Sequence, residues 1–401
     1  HLERGIQQQS KTVHSEVQID RVILLGQLAA LKQDPEKSQQ LWQQALAKAD
    51  STEELSIQAN ARLKIANKAR DLGDIQTAQT LFDQALALYD SLGDKQQIAT
   101  TLNEMGLLTH QLGETEKALS LWEKALSLQE EIEDKAGKAE SLDNMAYVVA
   151  QRGDVEKAIA LWQTALALHE QINEPKYKAS VLNNMASVIA QQGDIERALQ
   201  LWQDSLDILE RIGDVKGKAA TLSNMAYYAG ERGDRTQQLT LNRQAAEALG
   251  QIRAYNDLLT VLNNLGRTAE EHNVQYLAQA NWLMLRIQAP LTVTINLLSA
   301  LYQSIPKGDP LEALLGSTAS FFCQTRGENH PRQQQLQELS VKILLGAATE
   351  QGIDLDAENA FQNWMREQQL NDPSLFLPKL NTHLTTLIGD SWAFDPTPLQ
   401  K

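Results

Sequence analysis

One asparagine recurs at a constant interval in the sequence. The four residues that share this position are Asn144, Asn184, Asn224 and Asn264, each forty residues after the last. An asparagine amide carries both donors and an acceptor, so it can pair with one peptide unit of an extended chain whatever its side chains. The row predicts recognition of a peptide backbone. A second interpretation stays open, in which each amide bonds the neighbouring structural unit and holds the units together.

The residues that commonly carry out catalysis or bind metals show no comparable order. The seven histidines stand at positions 1, 14, 110, 169, 272, 330 and 383, and no two of them are three or four residues apart, as helical metal sites require. Cys323 follows two phenylalanines, which favours a small buried thiol over a reactive one. Carboxylate pairs such as Glu130-Glu131 and Glu270-Glu271 are typical of a solvated helix face.

A glycine pair followed by lysine superficially resembles a phosphate-binding loop. The spacing from Gly213 to Gly217 and Lys218 is one residue short, and no serine or threonine follows the lysine. We therefore interpret this segment as a turn. We predict no catalytic residue, no metal site and no cofactor, and hence a protein that is not an enzyme. An active site within residues 290–401 would need a motif that the sequence does not contain.

Composition restricts the class of partner and the compartment. The chain has 401 residues, of which 22% are charged, and a net charge of -15. This balance argues against a nucleic-acid partner, which requires clustered Lys and Arg, and favours a protein or peptide that carries basic residues. No apolar run approaches the roughly 18 residues that cross a bilayer, so no membrane insertion is expected. One cysteine points to a reducing compartment, and we expect a cytoplasmic protein.

The aromatic residues repeat with the same interval as the asparagines. Five of the seven tryptophans are in this register, with Phe82 and Asn242 at the two remaining positions of the series: Trp42, Trp122, Trp162, Trp202 and Trp282. Glycines recur likewise at positions 73, 113, 153, 193 and 233. A constant period of this length indicates a repeat architecture.

Each unit has the apolar spacing of two helices. The first stripe runs from Ala139 to Val149 and the second from Ala158 to Leu168, both with a 3.6-residue period. Between them, Gly153 can adopt the left-handed conformation that ends a helix, and Asp154 can cap the next helix. Each unit is predicted to be a helix hairpin, with the tryptophan filling the wedge between units.

Two segments carry a resemblance to a known family. Leu182-x-x-Met185-Ala186-x-x-Ile189, followed by Ala198-x-x-x-Trp202, resembles the tetratricopeptide repeat (TPR) pattern. Leucine replaces the leading tryptophan, the closing proline is missing, and the repeat has 40 residues in place of 34. The longer form is similar to the TPR arrays of kinesin light chain and of related scaffold and bacterial peptide-sensor proteins.

The resemblance implies an all-α fold, a right-handed α-solenoid of seven hairpins within residues 1–289. The expected repeats are about 15–50, 57–90, 97–130, 137–170, 177–210, 217–250 and 257–289. In such arrays the asparagine face lines a concave groove, and a similar ladder in kinesin light chain and O-GlcNAc transferase contacts bound peptide. Residues expected to contact a ligand beside the four asparagines are Tyr147, Asn183, Ser187, Tyr227 and Arg267.

The forty-residue register is lost after Pro290. Helices are predicted at about 291–304, 309–325, 331–351 and 356–370, and a last one from Pro373 to Ile388 is expected to be interrupted by Pro378. Residues 290–401 are either a helical cap, which the end of a repeat array needs, or a separate module that binds a partner or dimerises. The chain begins with His1 instead of Met, which is compatible with a processed or excised fragment.

The leading functional hypothesis is a non-catalytic scaffold or adaptor that holds a peptide segment of another protein in the concave groove. The alternatives are a peptide-sensing regulatory arm of a signalling protein and an assembly factor or chaperone for a larger complex. The identity of the partner and the oligomeric state are left open by the sequence.

Overall fold

The computed structural model describes residues 2–31, 35–269, 271–287, 289–326 and 332–399. Within these ranges the chain forms nineteen α-helices and one short 3₁₀ helix, with no β-strand. The prediction of an all-α repeat architecture is therefore confirmed. Contacts divide the chain into two compact units, residues 1–192 and 193–401.

The described residues of the first unit form nine helices. Its consecutive pairs α1/α2, α3/α4, α5/α6 and α7/α8 pack as hairpins. The helices are α1 (Leu2–Leu31), α2 (Pro35–Asp50), α3 (Leu55–Asp71), α4 (Ile75–Leu92), α5 (Lys95–Gln111), α6 (Thr115–Glu131), α7 (Lys135–Gln151), α8 (Val155–Gln171) and α9 (Pro175–Gln191).

The turn between α7 and α8 shows why the chain reverses where it does. Gly153 has a φ of 89°, a conformation that side-chain-bearing residues rarely adopt. The Asp154 carboxylate then accepts a hydrogen bond from the backbone N–H of Lys157 at 3.3 Å and so caps α8. Both roles agree with the sequence prediction. Local residue chemistry thus sets the ends of these helices.

Trp122 illustrates how neighbouring hairpins of the first unit pack. Its side chain is fully buried and forms a cluster with Ala118 of its own helix and with Met145 and Val148 of α7. The indole Nε1 donates to the backbone oxygen of Asn103 at 3.1 Å. Trp122 therefore joins its own hairpin to the next, as predicted for the periodic tryptophans.

The second unit contains ten α-helices in its described residues. They are α10 (Ile195–Ile212), α11 (Val215–Glu231), α12 (Arg235–Gln251), α13 (Tyr255–Thr268), α14 (Asn273–Ile287), α15 (Leu291–Ser304), α16 (Pro310–Arg326), α17 (Gln333–Glu350), α18 (Ala360–Glu367) and α19 (Pro373–Ile388), followed by the 3₁₀ helix Thr397–Leu399.

Two predictions for the C-terminal helices are corrected. Pro378 lies inside a continuous α19 and does not interrupt it, because its missing N–H removes only one helical hydrogen bond while Phe376 and Leu380 remain buried. Helix α18 is shorter than the predicted segment 356–370, since Asn359 takes a left-handed conformation just before its start. Pro331, the predicted start of α17, and Glu270 lie outside the described residues.

The end of the chain folds back onto the seventh hairpin. The Gln279 side chain of α14 donates to the backbone oxygen of Ser391 at 2.7 Å and accepts from the backbone N–H of Ala393 at 2.9 Å. The rings of Trp282 and Trp392 meet edge to face with centroids 4.9 Å apart. These contacts hold residues 391–393 against α14. The division of the chain at residue 289 stays a prediction.

Candidate peptide-binding face

In the first unit, the predicted ligand-contacting residues lie on the first helices of two hairpins. Asn144 and Tyr147 are three residues apart on α7 and therefore share one face of that helix. Asn184 and Ser187 occupy the equivalent positions on α9. Both asparagines are half-buried, whereas Tyr147 has 45% of its surface exposed. Ser187 donates its hydroxyl hydrogen to the backbone oxygen of Asn183 at 3.0 Å.

The two asparagine amides also bond the preceding first helix. Asn144 Nδ2 donates to Asn103 Oδ1 of α5 at 3.4 Å, and the Asn184 amide bonds the Asp143 carboxylate of α7. These are contacts of the kind that the second interpretation of the ladder predicts. An amide can make up to about four hydrogen bonds, so one such contact leaves capacity for a peptide unit.

Asp143 is a partner that sequence reasoning missed. Its carboxylate accepts a 2.7 Å hydrogen bond from Nε1 of Trp162 in the following helix. Burial raises the pKa of Asp143 above its ordinary value, and the hydrogen bonds from Trp162 and Asn184 oppose that rise. The sequence does show that a polar residue precedes the ladder position, both at Asp143 and at Asn103, forty residues earlier. It does not show which group Asp143 binds, because that depends on the offset between adjacent hairpins.

Negative charge is concentrated beside the ladder of the first unit. Partial desolvation raises the pKa of Glu140 from 4.5 to about 7, although its side chain still reaches solvent, and the charges of Glu104 and Asp143 add to this rise. Arg70 opposes it and forms an ion pair with Glu104. A cation placed beside Glu140 would therefore be attracted by the negative charges of this face.

The raised pKa of Glu140 predicts a pH-dependent stability. The folded state holds a proton on this group up to a pH of about 7, whereas the unfolded chain releases it near 4.5. Between pH 4.5 and about 7 the folded state therefore binds more protons than the unfolded chain. The contribution of Glu140 to the free energy of unfolding falls as the pH rises through this range. We expect Glu140→Gln to remove this fall, as measured by urea denaturation across the window.

The control for that measurement is Glu123→Gln, which changes an exposed carboxylate on α6. A stability difference between Glu140→Gln and the wild type that stays constant across this pH range would contradict the prediction.

The second unit carries the remaining predicted residues on equivalent helix positions. Asn224 and Tyr227 lie on α11, and Asn264 and Arg267 lie on α13. Tyr227 has 59% of its surface exposed and meets Tyr228 edge to face at 5.1 Å. Asn264 and Arg267 are also exposed. The structure thus brings these residues together in pairs within each helix.

Other candidate chemistry has structural explanations. Gly213 and Asp214 form the turn into α11, where the Asp214 carboxylate accepts from the N–H of Gly217 at 2.9 Å. Cys323 is half-buried, not buried as predicted, because it lies near the end of α16. Across the described ranges, no cluster of three or more His, Cys, Asp or Glu side chains is arranged to hold a metal ion. No helix in those ranges is long and apolar enough to cross a membrane.

Sequence comparison identifies the repeats. Residues 97–171 and 177–251, which include α6 to α8, α10 to α12 and three of the four ladder asparagines, match the tetratricopeptide repeat family. The chain thus contains tetratricopeptide repeats over these two segments. No curated protein matches its sequence. A TPR architecture supports a role in protein interaction.

Solved structures are similar to this chain. Aspartyl phosphate phosphatase F from Bacillus subtilis is 14% identical with a TM-score of 0.53, and the match covers 71% of this chain and 75% of that one. The Rap conjugation gene regulator of plasmid pLS20, in complex with the Phr* peptide, is 16% identical over 70% and 77% of the chains, with a TM-score of 0.49. BtubC (BKLC) from P. vanneervenii is 18% identical over 53% and 87%, with a TM-score of 0.45. At these identities the likeness concerns the fold alone.

Proposed function

We propose that this TPR protein is a non-catalytic adaptor that binds an extended segment of a partner protein on the ladder face of its first unit. The observation that carries the proposal is the grouping of two half-buried amides, an exposed tyrosine and a proton-binding carboxylate on α7 and α9. These residues are Asn144, Asn184, Tyr147 and Glu140. The amides would pair with the peptide backbone, and the tyrosine would pack against a side chain.

The charge beside the ladder supports a basic ligand. A lysine or arginine of the bound segment would replace the proton that Glu140 holds, so binding would release a proton. Glu104 and Asp143 would add to the attraction, since the potential of several carboxylates at a recessed surface exceeds that of one. Affinity for a basic peptide should therefore increase as the pH rises through about 7, where Glu140 ionises.

The expected energies show which contacts must contribute. Two amides at roughly 0.5 to 1.5 kcal/mol each supply about 1 to 3 kcal/mol, whereas micromolar binding requires about 8. The exposed Tyr147 and the carboxylates must provide much of the difference. In the second unit, Asn224 with Tyr227 and Asn264 with Arg267 form equivalent sets, and we propose that they contact a ligand in the same manner.

The test compares two variants that break the same bond between helices. Asn144→Ala removes a ladder amide together with its hydrogen bond to Asn103, whereas Asn103→Ala removes that bond and keeps the ladder amide. Binding of fluorescein-labelled peptides of random sequence, enriched in lysine, is measured by fluorescence anisotropy. We expect Asn144→Ala with Asn184→Ala to weaken binding at least about tenfold, and Asn103→Ala to leave it nearly unchanged.

The two interpretations of the ladder differ in their outcome. An equal loss of affinity in Asn103→Ala would show that the amides act through the packing of the helices. Absence of any lysine-dependent binding by the wild type would overturn the proposed function. Glutamate-enriched peptides of the same length serve as the ligand control.

A further inference from the structure

Helix α1 exposes a row of apolar side chains in the first unit. Val17 and Leu24 have 61% and 59% of their surfaces exposed, and Leu25 and Leu28 have 43% and 47%. Their helical spacing places them on one side of α1. They line a shallow groove together with two charged residues, so that its full lining is Val17, Asp20, Arg21, Leu24, Leu25 and Leu28.

The forty-residue register shows what this groove is. The positions that correspond to Arg21 and Leu25 are Ala61 and Ile65 on α3, which are 2% and 0% exposed. Helix α1 packs against α3, so this face of α3 is covered by the preceding hairpin. The same face of α1 meets no preceding hairpin within the described residues. The groove therefore corresponds to a face that is buried where one hairpin of the array stacks on another.

The two charged residues in the groove indicate which partner would fit it. Arg21 stands where the following repeats have small, uncharged Ala61, Thr101 and Ser141, and a guanidinium group is costly to bury unless an acid pairs with it. Asp20 is the adjacent residue. In an antiparallel pair of α1 helices whose two-fold axis passes between positions 20 and 21, each Arg21 faces the Asp20 of the other copy.

The same two-fold arrangement also pairs the apolar residues. It places Val17 of each copy opposite Leu24 of the other, on both sides of the charged pairs. Asp20 already bonds the Lys64 ammonium at 2.7 Å through both oxygens. A carboxylate has about four acceptor positions, so an arginine of the second copy can bind as well. The groove is thus complementary to itself in both charge and apolar surface.

We propose that the exposed face of α1 is a homodimer interface in which two copies pair their α1 helices antiparallel. An interface of one helix from each copy is small beside the roughly 1,200 to 2,000 Å² of stable complexes. The dimer should therefore exchange with monomer at micromolar concentrations. This inference is independent of the proposed peptide binding.

Sedimentation velocity of the full chain from low to high micromolar concentration tests the interface. We expect the mass to approach twice the 44.6 kDa of one chain. Leu24→Glu should raise the dissociation constant more than about tenfold. The matched control is Val341→Glu, which places the same charge at a 50% exposed valine of α17 in the second unit and should leave the dimer unchanged.

A charge-exchange experiment tests the pairing itself. The Arg21→Asp and Asp20→Arg variants should each be monomeric alone, because both place like charges opposite each other. An equimolar mixture should form a heterodimer, since every aspartate then faces an arginine. Three outcomes would each overturn the proposal: a wild type that stays monomeric, a dimer that persists in Leu24→Glu, and a mixture that fails to associate. A monomeric wild type would leave this face to another protein.

Discussion

Trp122→Ala is expected to destabilise the first unit by about 3 to 5 kcal/mol, the usual cost of removing a large buried aromatic side chain. The indole is fully buried between two hairpins, and its loss leaves a cavity lined by Ala118, Met145 and Val148. The backbone oxygen of Asn103 also loses its hydrogen bond from Nε1. Because a repeat array is stabilised by contacts between neighbours, loss of this one should weaken the whole unit.

Urea denaturation followed by circular dichroism measures the global effect, and hydrogen exchange of α5 to α8 measures the local one. The natural control is Trp122→Phe, because the chain itself has Phe82 at the corresponding position, fully buried. We expect Trp122→Phe to cost much less than Trp122→Ala. A loss below about 1 kcal/mol for the alanine variant would contradict the packing role assigned to the tryptophan.

Phe394→Ala is expected to release the C-terminal segment from α12 and α14, at a cost of about 3 kcal/mol. Phe394 is 6% exposed, and it lies so close to Gly250 that a Cβ there would be 2.6 Å from its own Cβ. Its ring also contacts Trp392, with centroids 5.6 Å apart. Without the Phe394 ring, the two hydrogen bonds made by Gln279 cannot by themselves offset the conformational entropy lost when the segment is ordered.

Hydrogen exchange at the amide of Ala393 reports this release directly, because that N–H donates to Gln279. Its protection should fall sharply in Phe394→Ala and persist in Asp395→Ala, which changes the adjacent exposed residue. Unchanged protection in Phe394→Ala would show that the segment is held by other contacts. It would also favour a separate C-terminal module over a cap.

The ends of the helices were predictable because they depend on residues close together in the chain. Gly153 and Asp154 reverse the chain and cap the next helix through contacts with residues at most a few positions away. The forty-residue period repeats the same left-handed glycine at positions 73, 113, 193 and 233. Pro378 was misjudged because burial of Phe376 and Leu380 compensates for a missing hydrogen bond, and sequence does not show that burial.

The candidate site was predictable in its positions but not in its contacts. Spacing alone placed Asn144 and Tyr147 on one helix face, since a helix has one period. The bond from Asn144 to Asn103 depends on the offset between two hairpins, which no local pattern encodes. The pKa of Glu140 likewise depends on Glu104 of another helix.

The sequence by itself therefore determined the hairpins, their number and the helix face that carries the ladder, because helix periodicity and turn chemistry act over a few residues. Only the tertiary structure decided which polar groups pair, which carboxylate keeps its proton, where residues 391–394 bind and which apolar side chains of α1 are exposed. These features arise from groups far apart in the chain, and their energies depend on distance and desolvation, which packing alone establishes.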